Sequence, residues 1–241
     1  ALDGAFHGDT LGATAVGGVE VFRRPFASVV LECVHVPFPG DEGAYDLAFA
    51  AMAELLGSAD DIAAVVLEPL LQGAAGMRVY DERFLRAVRQ LCDAHDVLLI
   101  ADEVFTGFGR CGAMWACDRA SITPDLLCTA KALSGGILPL AATLATDRVF
   151  DAFLGAPERA FYYGHTFCGH ALGTAVAREV LAVYRDEDII AKLQPKAARI
   201  RQTFEELATL PGVARGRSLG MTGAIDLRGD GSVEAFSGRI R

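Results

Sequence analysis

Three ionisable residues follow the ends of short strand-like runs: Glu68 after residues 63–67, Asp102 after 97–101 and Lys131 after 125–129. The carboxyl ends of such strands are where open α/β sheets bind ligands. A lysine among small, apolar and glycine residues is a candidate Schiff-base former, because desolvation lowers an amine's pKa and frees its nucleophile. An acid at a neighbouring strand end could hold a heteroaromatic nitrogen protonated. These are the two groups that pyridoxal phosphate demands of a protein: a lysine for its aldehyde and an acid for its ring nitrogen. A carboxylate buried at a strand end needs a positive partner. For Asp102 the expected partner is that ring nitrogen and not another side chain. Glu103, one residue on, is turned to the other face by strand alternation and is expected to have a supporting role. Taken alone, Lys131 and Asp102 also fit an unrelated surface lysine and a structural acid.

The elements that must carry these groups alternate along the chain. Residues 29–34 read as a short strand ended by the turn Pro37-Phe-Pro-Gly40. Leu47, Phe49, Met52, Ala53 and Leu56 recur at helical spacing, with Gly57 as the expected stop. Residues 63–67 and 97–101 read as strands buried on both faces. Between them Asp81 is a candidate cap for a helix whose inward face is Phe84, Val88, Leu91 and His95. That strand–helix–strand unit predicts a right-handed crossover and parallel pairing. Residues 125–129 and 138–146 add two more strands, the second expected to be buried. Ala171, Leu172, Ala175, Val176, Val180 and Val183 outline a further helix. The acidic run Asp186-Glu-Asp188 marks a boundary between a domain at 1–186 and a second, smaller unit at 187–241. In that unit Pro195 is expected to kink a long helix or mark its start, and 220–227 to form a strand.

Composition bounds the partners. Hydrophobic residues are 52% of the chain, enough for a substantial core, and 31 acids against 22 bases give a net charge of −9. That balance argues against general nucleic-acid binding and for small-molecule partners. No apolar run approaches the roughly 20 residues needed to cross a bilayer. The six cysteines contain no Cys-x-x-Cys pair and read as reduced thiols of a cytoplasmic protein. Cys92-x-x-His95 and His165-x-x-Cys168-x-His170 have partial zinc spacing, but the first lies within an amphipathic helix and the second has no matching distant pair. No metal site is expected. No strand runs directly into a Gly-x-Gly-x-x-Gly turn, since Gly107-Phe-Gly-Arg-Cys-Gly112 begins only after residues 102–106, and none is followed by a phosphate-loop lysine, so a nucleotide-binding domain fits poorly.

Five blocks, in order, resemble the class III aminotransferases, fold type I pyridoxal-phosphate enzymes. They are Phe6-His-Gly-Asp-Thr10, Glu68-Pro-Leu-Leu-Gln-Gly73, Leu99-Ile-Ala-Asp-Glu-Val-Phe-Thr-Gly-Phe-Gly-Arg-Cys-Gly112, Pro124-Asp-Leu-Leu-Cys-Thr-Ala-Lys-Ala-Leu-Ser-Gly-Gly136 and Gly164-His-Thr-Phe-Cys-Gly169. The resemblance implies an α/β fold: a large domain with a mainly parallel sheet flanked by helices, then the start of a small C-terminal α/β domain. It implies that Lys131 is the Schiff-base lysine and proton-shift base, that Asp102 pairs with the pyridine nitrogen, and that Val104 packs on one ring face. Phe6 matches the aromatic on the other face; the family often has Tyr there, so a hydroxyl contact to the substrate is absent. His7 is a candidate cofactor contact or a hydrogen-bonded loop histidine. Gln72 is placed near the ring's 3-hydroxyl. Thr166 matches a phosphate-binding threonine donated across a homodimer interface, with Gly164 and His165 beside it as candidate substrate contacts.

Two further stretches, Gly73-Ala-Ala-Gly-Met-Arg78 and Gly135-Gly-Ile-Leu-Pro-Leu-Ala-Ala-Thr-Leu144, resemble the biotin-synthesis branch of that family. This implies transfer of an amino group to 8-amino-7-oxononanoate from S-adenosylmethionine or lysine. Ornithine and 4-aminobutyrate transaminases typically carry Glu where Ala74 stands, which disfavours but leaves open an ω-amino-acid transaminase. A non-catalytic homologue is the other alternative. The family's Gly-Ser-rich phosphate loop should precede Ala1 and its carboxylate-binding arginine should follow Arg241. The chain is therefore expected to be an internal segment that holds the cofactor poorly by itself.

Overall fold

A computed structural model describes residues 1–40, 43–59 and 61–229. The chain begins with two short helices, α1 (Leu11–Val16) and α2 (Glu20–Arg23), and then α3 (Ala44–Ser58). Next come β1 (Ala64–Leu67), the hairpin of β2 (Leu71–Gln72) and β3 (Arg78–Val79), and α4 (Glu82–Ala94). β4 (Leu98–Asp102), α5 (Ala116–Ala120), β5 (Leu126–Thr129), β6 (Ala142–Ala145) and α6 (Asp147–Asp151) follow. The last described elements are α7 (Ala171–Asp186), α8 (Ile189–Ala208), β7 (Val213–Leu219) and β8 (Thr222–Leu227). The main sheet has the order β1-β4-β5-β6, parallel across β1, β4 and β5 and antiparallel at β6. This is the expected mainly parallel α/β sheet.

The sheet forms because its strands present apolar side chains to a helix layer. α4 is strongly amphipathic and buries Phe84, Leu85, Val88 and Cys92 against β1 and β4, in a core shared with Met52 and Leu56 of α3. Each such side chain contributes about 1.5–3 kcal/mol of transfer free energy. Asp81 caps α4 by accepting from the Arg83 N–H at 2.7 Å. In β4, Leu99 and Ala101 are fully buried while Leu98 and Ile100 are half-buried, so only one of its faces is wholly covered.

Several expectations need correction. Residues 29–34 are not a strand: they lack a ladder partner, and the pairing nearby is a single parallel bridge of Leu2 with Val36. β6 is not buried, because it pairs only with β5 and closes the sheet as an exposed antiparallel edge. Gly57 lies inside α3, which continues to Ser58. His95 does not face inward; it is exposed just beyond α4, and Leu85 and Cys92 complete the buried face. The packed face of α7 is Gly173, Ala177, Val180 and Tyr184, rotated from the bulkier stripe, and Leu172 stays exposed. Small residues win there because Ala177 packs on Leu133 of the turn that carries Lys131, and a β-carbon at Gly173 would come within 2.8 Å of the His170 ring and 3.3 Å of Leu140. α8 runs through Pro195 without a break, and β7, which the sequence did not signal, pairs with the expected β8.

Asp125 ties the start of β5 to its neighbours. Its Oδ2 accepts from Leu99 N–H at 2.8 Å and from the Arg89 guanidinium at 2.7 Å. Burial would raise this carboxyl, but the Leu99 amide and Arg89 together hold it below its usual value. Its stabilising contribution is therefore fully present above the unfolded aspartate pKa and is lost as pH falls through the lower folded value. Asp125→Ala should cost about 2–3 kcal/mol in urea unfolding at neutral pH, and the difference from the unsubstituted protein should shrink on acidification below about pH 4.

Candidate active site

Parallel pairing sets the ends of β1, β4 and β5 side by side. Leu67 is in register with Ala101, and Asp102 with Cys128. Glu68, Asp102 and Lys131 therefore emerge at the same edge of the sheet and line one cavity of about 400 Å³, together with Phe6, His7, Gly73, Met77, Val104 and Phe105. The spacing that made these groups candidates in the sequence is thus resolved into one site.

Asp102 is buried, and both carboxylate oxygens are held. Oδ1 accepts from the Val104 N–H at 3.1 Å, and Oδ2 accepts from His7 Nδ1 at 2.8 Å. This corrects the expectation that no side chain would partner Asp102. His7 is both a loop histidine with a hydrogen bond and a member of the site. Its Nε2 is buried without a partner, so the ring has one polar atom left over. Each Asp102 oxygen keeps a free lone pair, since a carboxylate can accept about four hydrogen bonds.

Glu103 points the other way, as strand alternation requires, and is 1% exposed. Oε2 accepts from Thr106 Oγ1 at 2.6 Å and Ala116 N–H at 3.0 Å, and Oε1 accepts from Cys117 N–H at 2.9 Å. Burial pushes this carboxyl up, and these donors oppose the shift. The loop from Glu103 to Cys117 thus folds around one acid. Gly107 is needed within it: a β-carbon there would come within 2.7 Å of the Trp115 ring and 2.9 Å of Glu103 O.

Glu68, noted in the sequence only as a strand-end acid, has a defined place. Oε1 accepts from Phe6 N–H and Oε2 from Gly73 N–H, each at 3.0 Å, while its backbone carbonyl accepts from Tyr80 Oη at 2.8 Å. Burial raises its carboxyl, those two amides and His7 lower it, and Asp102 adds to the rise. Glu68 therefore seats two walls of the cavity, Phe6 and the Gly73 turn.

Lys131 opens a single 3-10 turn, Lys131–Ser134, directly after β5. Its φ is +48°, a left-handed conformation that costs a non-glycine residue of order 1–3 kcal/mol. The turn holds it there through Leu133 N–H to Ala130 O at 3.0 Å and Gly135 N–H to Ala132 O at 2.9 Å. The amine lies 5.4 Å from the centroid of the Phe105 ring. It also borders a second, larger cavity lined by His165 and His170.

The remaining candidates divide. Phe6 and Val104 line the first cavity. Gln72 does not: it is fully buried, and its Nε2 donates to Asp3 O at 3.1 Å. Gly164 and Thr166 lie in an exposed loop and line neither cavity. Met77 and Phe105 were missed, although Phe105 sits within the motif that begins at Asp102.

Residues 1–240 match the model of the family described as "Aminotransferase class-III". The chain belongs to the class III aminotransferases. It is 42% identical over 236 residues to the adenosylmethionine-8-amino-7-oxononanoate aminotransferase of Geobacter sulfurreducens, covering 92% of this chain and 52% of that protein. The enzyme of the same name from Aquifex aeolicus is 40% identical, over 94% of this chain and 52% of its own. The crystal structure of the Methanocaldococcus jannaschii enzyme of that name superposes with a TM-score of 0.87 at 35% identity, covering 94% of this chain and 52% of that one. An amine transaminase from an uncultivated Pseudomonas species, in its PLP-bound form, gives 0.88 at 31% identity, over 95% of this chain and 55% of its own. The chain spans about half the length of the curated relatives it matches. Fold type I architecture agrees with these neighbours. Among the described residues no helix is long and apolar enough to cross a membrane.

Glu103 gives this class III chain a checkable constraint. Glu103→Gln would set an amide N–H against one of three backbone or hydroxyl donors. It should lower stability by about 1–3 kcal/mol in thermal or urea unfolding, and Thr106→Val, which removes only one donor, should cost less.

Proposed function

We propose that the protein carrying this chain is a pyridoxal-phosphate-dependent aminotransferase that converts 8-amino-7-oxononanoate to 7,8-diaminononanoate, the biotin-pathway step, with S-adenosylmethionine or lysine as amino donor. The observation that carries this reading is the meeting of Asp102 and Lys131 in one cavity at adjacent strand ends. The relatives that bear the corresponding name, at 42% and 40% identity, support this choice of substrate.

The residues present fit the cofactor. Asp102 has free lone pairs facing the cavity, His7 Nδ1 fixes its orientation, and Phe6 and Val104 supply apolar contacts for a flat ring. When bound, pyridoxal 5'-phosphate supplies an aldehyde carbon and an electron-accepting ring. Asp102 would hold the ring nitrogen's proton. Lys131 would hold the cofactor through its aldehyde, with loss of water, and its free amine would serve as the base for the proton on the substrate carbon. Glu68 keeps Phe6 and Gly73 in place around the bound ring.

The homodimer and the reach of Thr166 into the partner's site belong to the same proposal. Phe161, Tyr162, Tyr163 and Phe167 stand exposed around Gly164–Thr166, an apolar surface of the kind that a second copy covers. His165 lines the second cavity, as Lys131 does, and would meet substrate there. The division at 186/187 is supported by α8 packing on the β7–β8 hairpin while α7 packs on the Lys131 turn; residues 230–241 of the smaller unit lie outside the described ones. Six cysteines without a disulfide suit a reducing cytoplasm.

Full-length protein should show a visible absorbance band on adding cofactor. Lys131→Ala should lose that band and at least about 10⁴-fold in turnover. Asp102→Ala should keep the band but lose roughly 100- to 1000-fold. Persistence of the band without Lys131 would remove the lysine from its role. With 8-amino-7-oxononanoate as acceptor, S-adenosylmethionine or lysine should support turnover. Turnover of 4-aminobutyrate but of neither of those donors would replace the substrate assignment with an ω-amino-acid transaminase.

A further inference from the structure

The β7–β8 hairpin, remote in sequence from the cavity, touches both loops that form its apolar walls. On one side, Arg217 of β7 donates from Nε to Met77 O at 2.9 Å and to Gly76 O at 3.1 Å, and its Nη2 also reaches Gly76 O. The guanidinium is fixed from behind by Asp226 of β8, with Nη1 to Oδ2 at 2.6 Å and Nη2 to Oδ1 at 2.8 Å. Such a two-point pair holds a plane as well as a position. The Arg217 side chain is only 12% exposed.

What it holds is under strain. Met77 has φ +57° and Gly76 φ +91°, and Met77 contributes directly to the cavity wall. A methionine persists in the left-handed region only when its surroundings over-determine it. The two carbonyls bound by Arg217 are those of this turn.

On the other side, Met221 N–H, at the hairpin's tip, donates to Arg110 O at 2.8 Å. Gly220 lies so close that a β-carbon would come within 2.4 Å of the Cys111 carbonyl carbon and the Gly112 nitrogen. Arg110 in turn donates to Phe105 O at 2.7 Å and lies 4.6 Å over the Phe105 ring. The two walls then meet, since a β-carbon at Gly73 would touch the Phe105 ring at 3.2 Å.

We propose that the β7–β8 hairpin is a brace that sets the Met77 and Phe105 walls of the cavity, with Arg217 as a positioning residue for the apolar carbon chain of the amino-accepting substrate. Arg217 does not line the cavity; it acts through the Gly76–Met77 turn. The proposal rests on the transaminase reading above and adds to it the element that shapes the substrate's apolar contact.

The test uses full-length enzyme saturated with cofactor. Arg217→Ala should raise the KM for 8-amino-7-oxononanoate by roughly tenfold, the order expected for losing hydrogen bonds to a charged group, while kcat falls less and the cofactor absorbance band remains. Arg217→Lys, which keeps one donor for the carbonyls, should recover part of the loss. In a double-mutant cycle, Arg217→Ala should add little to the KM effect of Met77→Ala, because both remove the same wall. An unchanged KM in Arg217→Ala would overturn the proposal, as would full additivity with Met77→Ala. If Arg217→Ala does not fold, Arg217→Lys and Asp226→Asn carry the same comparison, and a KM equal to the unsubstituted enzyme's in both would overturn it. Failure of the transaminase reading is separate: it appears as no turnover by the unsubstituted enzyme.

Discussion

A carboxylate is costly to bury, and Glu68, Asp102 and Glu103 all sit buried at the ends of two adjacent parallel strands. Each is tolerated because donors converge on it, and those donors come from segments that would otherwise be free loops. Glu68 gathers the Phe6 and Gly73 amides. Glu103 gathers Thr106, Ala116 and Cys117. Asp102 gathers Val104 and His7. The acids are therefore the points around which the cavity is folded, with Glu68 and Asp102 lining it and Glu103 turned away. An unsatisfied buried acid costs several kcal/mol more than a satisfied one, so any loop arrangement that leaves them unpaired is strongly disfavoured.

The order of the sheet makes this possible. A crossover through α4 places β1 beside β4 in parallel, so the acids end on the same edge. Asp125 repeats the device at the opposite end of β5, where its one oxygen binds both the β4 backbone and an arginine of α4. Charge burial thus sets the register of the strands from below as well as shaping the loops above.

Residue type and spacing revealed the site better than they revealed its surroundings. Strand-end spacing pointed to Lys131 and Asp102, the family resemblance added Val104 and Phe6, and all four line one cavity. The inward turn of Glu103 also followed from alternation alone. Residues 29–34 and β6 misled because an apolar run reports a preference for burial, not the presence of a neighbour to bury against. The α7 stripe misled for a related reason: close packing against Leu133, His170 and Leu140 selects Ala177 and Gly173, which carry weak hydrophobic signal. His7's bond to Asp102 spans 95 positions, and the Arg217 contact with Gly76 spans 141, so neither had a local signature.

Three strained backbone positions lie where these constraints meet. Met77, Phe108 and Lys131 are all non-glycine residues at positive φ, and each lies in or beside a loop at the cavity. In a free peptide each would relax, at a gain of order 1–3 kcal/mol. Here Arg217 grips the Met77 turn. The Glu103 network and Tyr184, whose Oη donates to Phe108 O at 2.9 Å, hold Phe108, and the 3-10 turn holds Lys131. Rigid scaffolding on three sides lets the amine of Lys131 and the carboxylate of Asp102 keep a fixed relation that neither side chain could hold by itself. The same argument explains why the cavity draws on segments from residue 6 to residue 226: strain stored at the chemistry must be offset by contacts made far from it in sequence.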